Sequence, residues 1–107
     1  MKIPAHLMIG ARRYTVEQPK VMYRYGHKGE CDYKQRTLTI STHSSRTGER
    51  FDEDDRHETF WHEVTHAILF DMKSPLYQNE RFVTAFSRRL SKAIKTAQFK
   101  SEETADV

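Results

Sequence analysis

His62-Glu63-Val64-Thr65-His66 spells H-E-x-x-H, two imidazoles four residues apart with a carboxylate beside the first. On a helix, positions i and i+4 lie about 40° apart and one turn apart, so both rings share a face. Two such rings suit one Zn²⁺ ion. Glu63 sits about 100° further round, out of comfortable reach of the metal but within reach of a water beside it. That is where a general base belongs in metal-assisted hydrolysis.

With 6 His and 9 Glu in 107 residues, the pattern is expected by chance roughly 0.03 times. Its flanks Phe60, Trp61, Ala67, Ile68, Leu69 and Phe70 are apolar, and Val64 and Thr65 inside it are uncharged. Imidazoles and a carboxylate in so apolar a stretch are costly without compensation, and a metal supplies it. A hydrogen-bonded core histidine pair and a closed structural zinc site are the competing readings. The second is weakened by the single cysteine, because closed sites draw mostly on Cys.

A catalytic zinc takes three protein ligands and keeps an open position. No histidine follows His66, and Asp71 points about 180° away from His62 on the same helix. Glu80, 14 residues beyond His66 and near the start of a second helix, is the expected third ligand. A first-turn acidic residue favoured by the helix dipole is its plainer explanation. Glu102, Glu103 and Asp106 lie in the polar tail and are weaker candidates.

The elements that must position these groups read as an α+β chain. Residues 2–9 and 12–18 are expected as strands around Gly10, and Val21–Tyr25 as a further strand or an aromatic loop. Glu30–Tyr33 and Arg36–Ser41 read as a hairpin whose second arm is rich in β-branched residues. From Phe51 the pattern changes. Asp52, Glu53, Asp54 and Asp55 suit a helix N-terminus, and a run without Gly or Pro reaches Met72. Ser74-Pro75 resembles an N-cap with Pro at the first helical position, opening a second helix to about Gln98. Its apolar stripe is Phe82, Val83, Phe86, Leu90, Ala93, Ile94 and Ala97. The expectation is a small N-terminal antiparallel sheet of hairpins followed by two long helices. It forms one domain over 1–100, with a disordered tail at 101–107.

Hydrophobic residues make up 36% and charged residues 31% of the 107, so the core is small and separate cofactor and substrate domains are excluded. No stretch approaches the ~18 apolar residues of a membrane span, and the first residues do not read as an export signal. One cysteine, Cys31, gives no internal disulfide, which suits a cytoplasmic address. Cys31 itself is expected to be buried or half-buried and chemically idle. The net charge of +3 permits nucleic-acid contact without requiring it. Arg81, Arg88, Arg89, Lys92 and Lys95 fall on one side of the second helix, expected as a solvated face and, alternatively, as a patch for nucleic acid or an acidic protein.

Thr59 to Ile68 resembles the extended zinc-protease consensus, with uncharged flanking and inner positions and a hydrophobic last one. With a glutamate on the following helix, the layout is similar to the gluzincin type of zincin metallopeptidase, in particular to the small ImmA/IrrE-like and phage-encoded minimal metallopeptidases. The resemblance implies a zinc endopeptidase that acts on a protein or peptide substrate and binds one Zn²⁺ per chain. His62, His66 and Glu80 would be the ligands and Glu63 the general base. Larger gluzincins carry an acidic residue where this chain has Thr84, and no helical substrate domain follows. Within that mechanism the substrate is expected to lie along Thr37, Leu38, Thr39 and Ile40 as an added strand. Tyr77 is the leading oxyanion stabiliser, ahead of His57 and Tyr33, and Glu58 is placed to orient the His62 ring.

Overall fold

Tyr14 and Val16 alternate with charged and polar neighbours in β2 (Arg12–Glu17), so the strand buries those two side chains and exposes the rest. It forms a hairpin with β1 (His6–Ile9) around Gly10 and Ala11. A second hairpin joins β3 (Gly29–Asp32) to β4 (Thr37–Ile40). These elements come from a computed structural model that describes residues 2–100. The expected tail at 101–107 lies outside the described residues.

Both hairpins are antiparallel, as their turn chemistry implies, but they meet through a parallel pairing of β2 with β4. The sheet order is β1-β2-β4-β3, so it is mixed, not wholly antiparallel. Val21–Tyr25 forms no strand; the segment is a series of bends in which Met22 is buried and Tyr23 stands in solvent.

Helix α1 spans Glu53–Asp71, and the Asp52 side chain caps it by accepting from the Asp55 N–H. Phe60, Val64 and Ala67, spaced by four and three, are its sheet-facing stripe. They pack with Ile9, Tyr14, Val16, Leu38 and Ile40 in the core. Burial of Phe60 alone removes a full aromatic side chain from water, worth about 1.5–3 kcal/mol.

The expected second helix is divided. Pro75–Gln78 is a short 3₁₀ turn capped by Ser74. Helix α2 then starts afresh at Glu80 and runs to Thr96, with the Asn79 side chain accepting from the Phe82 N–H. Its buried face follows only part of the apolar stripe, with Val83 buried and Phe82, Leu90 and Ile94 half-buried. Val83, Ser87 and Ser91 are buried, while Phe86 is 47% exposed and Ala93 is exposed. Small side chains at i, i+4 and i+8 let α2 close on α1. Arg88–Glu58 at 2.9 Å and Lys95–Asp54 at 3.1 Å tie the helices together at the rim. Among the described residues no helix is long and apolar enough to cross a membrane.

Candidate metal centre

Helix geometry sets the first two groups. The His62 and His66 rings face each other edge to face, 4.9 Å between centroids. The 3₁₀ turn and the Asn79 cap then deliver Glu80, the first residue of α2, to the same spot. Its carboxylate lies 3.1 Å from His62 Nε2 and 2.6 Å from His66 Nε2. One donor atom from each of the three lies within 4.8 Å of the others. The His66 side chain is 9% exposed, that of His62 22% and that of Glu80 68%. The cluster is therefore walled on the helix side and open to solvent at Glu80.

The donor chemistry fits a cation. His66 Nδ1 is 2.7 Å from the Tyr77 main-chain carbonyl, and a carbonyl only accepts, so Nδ1 carries the proton. In a neutral ring Nε2 then holds a lone pair, aimed at a carboxylate oxygen. Two acceptors at that distance need a positive charge between them, either a ring proton or a metal ion. A histidine with one nitrogen fixed on a carbonyl and the other free is also the usual state of a metal-ligating imidazole. Burial, together with the neighbouring His66, lowers the pKa of His62, although Glu80 pulls the other way.

Glu63 lies outside the three-residue cluster and is 7% exposed. Burial pushes its carboxyl up to about 8, with the Glu80 and Glu30 carboxylates adding to the rise. A buried carboxyl poised near neutrality is suited to accept and release a proton. A hollow of about 290 Å³ beside it is walled by Lys28, Gly29, Thr59, His62, Glu63 and Thr84, among others. Thr84 thus stands in the wall of the site.

Several expected site residues are placed differently. Thr37, Leu38, Thr39 and Ile40 form β4, which is hydrogen-bonded on one side to β2 and on the other to β3. Leu38 and Ile40 are fully buried. An interior strand has no edge to offer, so the assignment of these four residues to substrate binding is corrected. The free edge on that side is β3. The Ser41 N–H donates to the Lys28 carbonyl, and the antiparallel alternation then turns the N–H and C=O of Gly29 and Cys31 outward.

Tyr77 contacts the cluster through its carbonyl, while its ring packs edge-on against Tyr33 and Phe70. His57 is buried and lines a separate hollow with Lys2, Ile3 and Gln18. Glu58 bonds Arg88, not His62. Arg88 and Lys95 are each engaged by a carboxylate of α1, which leaves Arg81, Arg89 and Lys92 as the basic remainder of that face.

Composition and periodicity miss two contributors. One is the Tyr77 carbonyl, which is independent of residue type. The other is Gly29, where an added Cβ would lie 2.7 Å from Thr59 Cγ2 and 3.0 Å from Glu63 Oε2. No family model, curated protein or solved structure matches the chain.

Proposed function

We propose that the protein is a zinc-dependent metallopeptidase that hydrolyses peptide bonds of a protein substrate. The observation that carries the reading is the convergence of two imidazole nitrogens and one carboxylate, with the second imidazole held in its metal-ready tautomer by the Tyr77 carbonyl. His62, His66 and Glu80 would hold the ion. When bound there, zinc supplies Lewis-acid polarisation of a carbonyl and acidifies water.

The chain's own residues supply the rest. Glu63 takes a proton from the attacking water and returns it to the leaving amine nitrogen, so one carboxyl serves both steps. The outward Gly29 and Cys31 backbone of β3 pairs with an extended substrate segment. Gly29 keeps that segment close to Glu63, because it has no side chain to stand between them. The hydrophobic wall of α1 keeps bulk water from one side of the cluster.

Metal analysis and proteolysis test the reading together. Protein purified without chelator should carry about one zinc per chain. That content should persist in Glu63→Gln, vanish in His62→Ala and fall in Glu80→Ala. Digestion of casein should be present in the wild type and absent in Glu63→Gln. Zinc content indifferent to His62→Ala sinks the metal site; equal casein digestion by Glu63→Gln sinks the assigned base.

A further inference from the structure

A second hollow lies away from the histidines. It encloses about 680 Å³ beyond the C-terminal end of α1. Its apolar part is built from Tyr14, Tyr33, Phe70 and Tyr77. Tyr33 stacks on Phe70 with ring centroids 4.3 Å apart, and Tyr77 meets both edge-on. Around this aromatic floor stand Arg12, Lys34, Arg36 and Lys73. None of these four forms an ion pair among the described residues, whereas Lys28, Arg88 and Lys95 do. Asp71, the one carboxylate in the wall, is turned against the Gly10 backbone.

Two of the four cations stand where other residues would be easier. Arg36 (φ 54°) and Lys73 (φ 57°) are the only non-glycine residues with positive φ among the described residues. Arg36 closes the β3–β4 turn, and Lys73 follows the C-cap of α1. Both are positions that glycine or asparagine fills with less strain. Both carry a long cation instead, and both line the same hollow.

We propose that this hollow receives an aromatic or large apolar side chain of the peptide substrate, with Arg36 and Lys73 holding an adjacent carboxylate; the inference rests on the peptidase reading above. Tyr77 joins the two places: its carbonyl fixes His66 and its ring lines the hollow. A substrate residue seated there is therefore tied to the cleavage site by one residue's backbone and side chain. The volume suits one or two side chains. The cations ring a single concavity and do not run as a track, which favours an acidic peptide over a nucleic-acid backbone.

Calorimetric titration of the full-length Glu63→Gln protein tests this without turnover. The probes are capped octapeptides with Phe-Glu, Phe-Lys or Ala-Glu at the centre. The Phe-Glu peptide should bind at least about tenfold more tightly than either other peptide. The double variant Arg36→Gly/Lys73→Gly should lose that preference while its melting temperature stays equal or rises, since glycine relieves both backbones. Equal binding of the three peptides, a preference unmoved by the glycine variant, or displacement of the Phe-Glu peptide by an equimolar single-stranded oligonucleotide overturns the pocket assignment. Digestion of casein by wild type without any such preference overturns the pocket alone. Selective binding with no cleavage by zinc-loaded wild type overturns the peptidase reading, and the pocket's role in selecting a substrate falls with it.

Discussion

The His66 ring donates its Nδ1 proton to the Tyr77 carbonyl at 2.7 Å, and this bond orients Nε2 towards Glu80. The tautomer is set by a backbone atom eleven residues downstream, across the turn that separates α1 from α2. The same bond ties the 3₁₀ turn to α1, so the orientation of the His66 ring and the docking of the two helices are one arrangement.

Chelation should therefore loosen the fold as well as empty the site. A ligand at about 100 times its dissociation constant stabilises the folded state by about 2.7 kcal/mol. In a domain of this size that corresponds to a melting temperature shift of about 10 °C or more. Differential scanning calorimetry with and without a chelator should show that drop in the wild type and none in His66→Ala. An equal drop in both would place the stabilising metal elsewhere.

Gly29→Ala should damage the site from the sheet side. The new methyl would meet Thr59 Cγ2, Glu63 Oε2 and the Thr39 carbonyl, all within 3.1 Å. Only the first two can give way, and both belong to α1. Crowding of this kind costs about 1–3 kcal/mol. Thermal melts should register that loss, and casein digestion should fall further than the loss of folded protein explains. A variant as stable and as active as wild type would mean that β3 does not press on α1 at Gly29.

The facing of the two imidazoles was legible because four residues of helix fix the relation of His62 to His66 whatever the rest of the fold does. The Asp52 cap and the acidic first turn were legible for the same local reason. Glu80 was legible because a short connection between helices confines where the second can begin. Strand order was not. The alternation in Thr37–Ile40 marks one buried face but says nothing about which strands flank it, so an interior strand passed for an edge. The buried face of α2 was legible at Val83 alone, because close helix contact selected Ser87 and Ser91, which hydrophobic periodicity counts as surface. The break at Asn79 was hidden because its cap lies in a polar stretch that a Pro-led helix could also span.

Cys31 gives a pH test of the packing behind β3. It is half-buried against the core, and burial pushes its thiol up to about 12 from 9.0, with the Glu63, Asp32 and Glu30 carboxylates adding to the rise. A raised folded-state pKa means the neutral thiol's contribution is complete below 9 and is lost as pH climbs through about 12. Urea midpoints of wild type and Cys31→Ala should thus differ by a constant at about pH 7–8, with the wild type losing ground above about pH 9. Iodoacetamide at about pH 8 should modify the folded protein far more slowly than the urea-unfolded chain. A gap that does not move with pH, or equal labelling rates, would mean the thiol is in water.

The seam of α2 offers a way to move the proposed third ligand, Glu80, without touching it. Ser87 is 1% exposed and sits two turns below Glu80 on the helix that presents the carboxylate. Ser87→Leu forces the two helices apart at a point where there is no room, at about 1–3 kcal/mol, and α2 carries Glu80 with it. Zinc affinity measured by competition with a chromogenic chelator should weaken in Ser87→Leu. Ser87→Ala keeps the seam narrow, gives up only a 3.4 Å hydrogen bond to the Thr84 carbonyl, and should bind zinc like the wild type. Because the ions pairing Arg88 with Glu58 and Lys95 with Asp54 are exposed, they resist the displacement weakly, at about 0–1 kcal/mol each. Unchanged affinity in a folded Ser87→Leu protein would show that the carboxylate reaches the histidines independently of the α1–α2 contact, and Glu80 would then owe its position to the Asn79 cap alone.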